Sequence, residues 1–130
     1  MKSRVAFRSE RGQSLTEFAL VLPLLVVLLF GIIQFGITFN NYISLTDAVR
    51  AGARKGAVGR HLDDPVGETV AQVRKSGGDL DEAELQISVE STWMRGEEVT
   101  VTASYPYKIK LFGIPVQQGR MSSTTTERVE

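Results

Sequence analysis

The sequence predicts an α+β protein: a long N-terminal transmembrane helix extending into a small head that holds one further helix and a three-stranded antiparallel sheet. Three observations carry this. No charged residue occurs from Phe18 to Phe39, and the next charge is Asp47. Beyond the apolar run, Tyr42, Leu45, Val49 and Ala53 recur at helical spacing, so the same helix continues outward. From Leu85 the apolar period changes from that of a helix to that of a strand.

The chain has 130 residues and balances 15 basic against 15 acidic residues, so it holds one modest domain with no net charge. The balance is uneven along the chain. Lys2, Arg4, Arg8 and Arg11 against Glu10 leave residues 1–12 at plus three, and the remainder at minus three. No basic stripe follows, which argues against nucleic acid as a partner, because such binding depends on clustered Lys and Arg to displace counterions. With no cysteine there is neither a disulfide framework nor a thiolate metal site.

The first element is the helix over residues 13–58, with a membrane span at 18–39. At about 1.5 Å per residue this span is roughly 33 Å long, against a hydrocarbon core of about 30 Å. Pro23 removes one backbone N–H and crowds the carbonyl of Ala19, so a local kink is expected there. A core helix of a soluble protein is the competing reading, but the remaining chain is too short to surround it. A cleavable secretory signal with Ala51-Gly52-Ala53 as its cut site also competes, but that site lies far beyond the apolar block. The basic flank places the N-terminus in the cytoplasm and everything after Phe39 outside the membrane.

Past the span, Ala48, Gly52 and Gly56 repeat every four residues, a stripe of small side chains that lets another backbone approach. Packing against the protein's own head is favoured over packing against a neighbouring helix. The segment from Gly59 to Pro65 breaks the helix, with Asp64 as N-cap and Pro65 at the first position of a second helix. Val66, Val70 and Val73 form its apolar face up to Ser76, and Gly77-Gly78 stops it. The acidic run Asp79–Glu84 lacks the alternating oxygen ligands and central glycine of a calcium loop, and reads as a solvated connection.

Leu85, Ile87 and Val89, then Val99, Val101, Ala103 and Tyr105, alternate with polar residues on either side of Arg95-Gly96-Glu97, as in an antiparallel hairpin. Pro106 is expected to end the second strand or mark an edge. Lys108 to Val116 is expected as an apolar loop that covers the head or offers a contact patch. Arg120 to Val129 supplies the third strand, with Met121, Ser123 and Thr125 on one face. The exported α+β head thus covers residues 59–130.

No catalytic constellation is present, and the protein is not expected to be an enzyme or to take a cofactor, metal or small-molecule substrate. His61, the single histidine, lies in a turn without an acid partner. No glycine-flanked nucleophile elbow or phosphate-cradling loop occurs. Trp93 reads as a packing residue of the hairpin.

The mouth of the membrane helix is the unusual place. An acid carried into hydrocarbon costs on the order of 2.5 to 3.5 kcal/mol, yet Glu17 stands directly before the apolar run. Ser14 as N-cap with Glu17 three residues later makes a capping box, which explains how the acid is tolerated. It does not explain Gly12 or the basic leader.

The order of basic leader, Gly12, Gln13-Ser-Leu-Thr-Glu17-Phe18 and apolar helix resembles the class III signal of type IVb prepilins. The longer string Gly-Gln-Ser-Leu-Thr-Glu-Phe-Ala-Leu-Val-Leu-Pro-Leu-Leu, with Phe30-Gly-Ile-Ile-Gln-Phe-Gly36 and Ala48-Val-Arg-Ala-Gly-Ala-Arg54, is similar to the TadE-like minor pseudopilins of the tight-adherence (Tad/Flp) type IVb pilus system. The resemblance covers roughly the first 55 residues. It implies residues 1–12 as the leader and a processing site formed by Gly12, Gln13, Glu17 and Phe18, cut after Gly12 by a prepilin peptidase. Gln13 becomes the new N-terminus, and Glu17 becomes an assembly contact for the terminal amine of a neighbouring subunit. The implied partners are that peptidase, the major pilin, other minor pseudopilins and membrane lipid. The implied location is the bacterial inner membrane, crossed once, with the head periplasmic or extracellular and the protein available to a pilus used in adherence or secretion. The chain departs from the family at Gln34, where members frequently carry an acid, and at Ile37 and Thr38, so a second ionic contact there is not implied. The alternative function is a static, single-pass anchored binding module whose glutamate only caps its helix.

Overall fold

The computed structural model describes residues 9–130, and the side chains of residues 11–130. Most of the basic leader, including Lys2, Arg4 and Arg8, therefore lies outside the described residues. The first element, α1, runs from Ser9 to Ala57 without interruption, passing through Pro23. Its 49 residues correspond to roughly 73 Å. A single turn of tighter helix at Gly59–His61 leads into α2, Pro65–Ser76. Three strands follow: β1 (Gln86–Ser91), β2 (Glu98–Leu111) and β3 (Ile114–Arg128), in the order β1-β2-β3 and antiparallel throughout.

The second helix starts as its sequence dictates. The Asp64 carboxylate accepts a hydrogen bond from the Gly67 N–H at 2.9 Å, and Pro65 occupies the first turn, where its missing N–H costs nothing. Its buried face differs from expectation. Thr69 and Val73 are fully buried, while Val66 is 44% exposed in the first turn. Thr69 survives burial because its hydroxyl donates to the Pro65 carbonyl at 2.7 Å, leaving no orphaned polar group.

The core forms where the last third of α1 and the inner side of α2 meet one face of the sheet. From α1 come Leu45, Ala48, Val49 and Ala53, and from β2 come Val99, Val101 and Ala103, all fully buried. Tyr42, expected on this face, is instead 44% exposed, because the covered stripe runs through Asn41, Leu45, Ala48 and Gly52. The small residues decide how close the layers come. A Cβ placed on Gly52 would collide with the Val73 side chain, and one on Gly56 would stand 3.0 Å from Val99 Cγ2 and 3.2 Å from Thr69 Oγ1. The stripe therefore packs on the protein's own head.

On the sheet, Val99, Val101, Ala103 and Tyr105 pair with Glu127, Thr125, Ser123 and Met121. The solvent face carries a hydroxyl ladder, with Thr100–Thr126 and Thr102–Thr124 oxygens each 3.0 Å apart. Trp93, at φ 56° in the β1–β2 connection, packs against the core beside Gly56 and Gly59. The chain end closes the head: Val129 is buried, and the Glu130 N–H donates to the Ala57 carbonyl at 2.9 Å.

Two expectations about the second half of the sheet are corrected. Pro106 marks an edge rather than ending β2, which continues to Leu111, and residues 108–116 are not a loop. β1 accompanies β2 only as far as Ser104, so beyond it β2 has a free side, where a proline's missing N–H removes no bond to a neighbour. β3 consequently begins at Ile114 rather than at residue 120. Phe112 and Gly113, at φ 49° and 84°, make a two-residue turn of the type whose twist matches the flanking strands. The register slips once between Ile109 and Lys110, leaving Val116 as the extra residue.

Candidate functional site

Gly12, Gln13, Glu17 and Phe18 all lie on one exposed stretch of α1. The chain is already helical at Ser9, so Ser14 lies in the interior of α1 rather than at an N-terminus. Backbone carbonyls from the preceding turn already serve the N–H groups that a capping box would satisfy. What holds the local geometry is a pair of contacts across single turns. The Gln13 side-chain amide donates to the Glu17 carboxylate at 3.0 Å, and the Thr16 hydroxyl donates to the Gly12 carbonyl at 2.9 Å.

Gly12 itself has no structural cause among the described residues. A Cβ built there meets nothing within 4 Å, and its backbone is ordinary helix. A glycine in an exposed helix interior costs about 1 kcal/mol relative to alanine. The residue is therefore kept against local propensity, at a place where no neighbour requires it.

The apolar run after Phe18 is bare. Leu20, Leu24 and Phe35 are 76%, 69% and 67% exposed, and no part of the head covers them. Within the described residues one helix, Arg11–Ala57, is long and apolar enough to cross a membrane. In water such a surface would be untenable; its apolar solvent has to come from outside the chain.

The expectation from sequence did not include the reach of the β2–β3 hairpin. Its turn contacts α1 at Phe30, with the Phe30 and Phe112 rings 5.2 Å apart at 51°. Nearer the head, Tyr105, Pro106 and Lys108 form a cleft with Gln34, Thr38 and Asn41, which share one face of α1. The alternation of Tyr107, Ile109 and Leu111 with Lys108 and Lys110, closed by a residue-glycine pair, is the sequence signal for this longer hairpin.

Elsewhere the surface offers little chemistry. No group of three or more histidine, aspartate or glutamate residues able to hold a metal occurs among the described residues. His61 faces a cation: the Arg60 guanidinium lies 3.1 Å from its Nε2. A groove between the end of α1 and the chain terminus, lined by Arg54, Arg95, Glu127 and Arg128, is wide and open, with no nucleophile beside a base.

No curated protein and no solved structure matches the chain. A family match does exist, beginning at Gly12 and ending near the close of α1, so that it takes in the membrane helix and leaves out α2 and the sheet. That family is structural rather than catalytic, and with the bare apolar helix it indicates a protein anchored by a single membrane pass. Residues 12–54 match the family model described as TadE-like protein, so that segment of the chain is similar to TadE-like proteins.

Proposed function

We propose that this protein is a minor pseudopilin, processed by a prepilin peptidase between Gly12 and Gln13, whose helix supports assembly of a Tad/Flp pilus. The observation that carries the proposal is Gly12. It sits where packing among the described residues has no use for a glycine, directly after a basic segment and five residues before Glu17, the last acid ahead of the apolar run. A peptidase that reads the backbone at an uncrowded residue supplies the missing reason.

In this reading the chain divides into a leader at 1–12, a helix at 13–58 and a head at 59–130, with the leader cytoplasmic and the head beyond the inner membrane. Cleavage removes the Gly12 carbonyl that Thr16 uses and creates an α-amino group on Gln13. Glu17 lies one turn from that amine, as its contact with the Gln13 side chain shows. A desolvated carboxylate needs a cation, and the amine of a neighbouring subunit competes with the chain's own for it. Assembly register follows if the neighbour wins. The partners are then the peptidase, the major pilin and other minor pseudopilins.

A static anchored module remains the second reading, favoured by the existing Gln13–Glu17 bond, which gives Glu17 a partner without any neighbour. Coexpression with the cognate prepilin peptidase separates the two. A pseudopilin shortens by twelve residues, and Gly12→Trp stays full length while the head remains folded. An unchanged N-terminus beside an active peptidase sinks the pseudopilin reading. Glu17→Ala should then leave processing intact and lower crosslinking to other pilus subunits.

A further inference from the structure

We propose that the turn of the β2–β3 hairpin is a second membrane contact, entering the lipid leaflet on the head side alongside α1. This rests on the reading of α1 as a membrane anchor. Phe112 is held at the level of Phe30. At about 1.5 Å per residue, Phe30 lies roughly 13 Å inward of Phe39, where the charge-free span read from the sequence ends. A turn fixed at that level meets lipid, not water.

The chemistry of the turn agrees with its place. Phe112, Ile114 and Val116 are 62%, 67% and 58% exposed, an apolar tip that the head does not use. Phe112 also adopts a positive φ of 49°, a conformation that asparagine or glycine takes at far lower cost than an aromatic residue. A bulky ring kept there against its backbone preference points to a function for the ring. Behind the tip, Lys108 and Lys110 are both exposed, on a strand where the neighbouring Ile109 and Leu111 are half-buried. Long cationic side chains at that distance reach lipid phosphates while their stems lie on apolar surface.

Backbone sets the depth. Hydrocarbon cannot satisfy the free peptide groups on the outer edges of two paired strands, so the hairpin draws the hydrocarbon boundary inward from Phe39 to about the level of Phe30, leaving only the turn in contact with it. The hairpin thereby acts as a stop that fixes how far α1 stands out of the membrane. A protein partner of equal apolarity is the rival occupant, but nothing in the chain's charge pattern selects one, whereas continuity with the bare helix selects lipid.

The absence of cysteine makes the test direct. Single-cysteine variants Ile114→Cys, Leu25→Cys and Asp63→Cys of the full-length protein are labelled with NBD in vesicles of phosphatidylcholine and phosphatidylglycerol, with Trp93 emission checking that the head is folded. The proposal expects the label at 114 to be blue-shifted, quenched by doxyl-labelled lipid and protected from iodide, like the label at 25 and opposite to that at 63. Adding Phe112→Asp should reverse the result at 114 and leave that at 25 unchanged. Iodide quenching at 114 with lipid quenching at 25 overturns the hairpin contact alone. Protection at 114 from both quenchers means a protein covers it and also overturns the proposal. Loss of lipid quenching at 25 defeats the anchor itself.

Discussion

The two halves of α1 use the same residue type for opposite reasons. In the outer half, Gly52 and Gly56 are small because Val73, Val99 and Thr69 stand where their side chains would be. In the membrane-side part, Gly12, Gly31 and Gly36 have open space around them, and nothing among the described residues requires their smallness. One half is explained by intramolecular packing. The other finds no packing partner among the described residues, and the exposed leucines and phenylalanines around these glycines make the same point.

That contrast can be broken in order of size. Gly52→Leu should destabilise the head by about 3 kcal/mol or more, since a branched side chain must displace Val73 from a closed core. Thermal unfolding in detergent, followed by Trp93 fluorescence, reads it; a change under 1 kcal/mol would show that the α1–α2 contact is loose. Gly52→Ala should cost about 1 to 3 kcal/mol. Combined with Val73→Ala it should cost less than the separate changes together, with a coupling of about 0.5 to 3 kcal/mol. Strict additivity would mean that the two residues do not share the contact.

Smaller still, Asp64→Ala removes the side-chain cap of α2 and should cost about 1 kcal/mol, which lowers Tm by about 4–8 °C for a head of this size. At the far end of the scale, Gly36→Ala should leave the unfolding of the head within about 0.5 kcal/mol of the parent, as expected for a position without neighbours. A larger loss would place an unseen contact on the inner half of the helix.

Much of this architecture is legible in the residues, for reasons that differ by element. The Asp64-Pro65 start of α2 was readable because a cap and a first-turn proline act through neighbours in sequence. The inward face of Met121, Ser123 and Thr125 followed from the two-residue period of strands. Val66 and Tyr42 were misplaced because helical spacing leaves the exact rotation of a face open until a partner defines it. Of the two readings of Pro106, strand end or edge, the structure bears out the edge, because β1 stops before reaching it. At the candidate site, the string from Gly12 to Phe18 was identified from sequence, whereas the hairpin contact at Phe30 joins residues 82 positions apart and has no local signature.

The sequence by itself determined the membrane helix, the unusual glycine and glutamate at its mouth, and the succession of helix and strands, because hydrophobic period and capping are local properties. Only the tertiary structure decided that α1 is unbroken through Gly12, that Gly52 is a packing residue while Gly12 is not, and that a hairpin returns from the head to the membrane helix. Each of those depends on which atoms meet across the fold, and distance in space is not written in the order of residues.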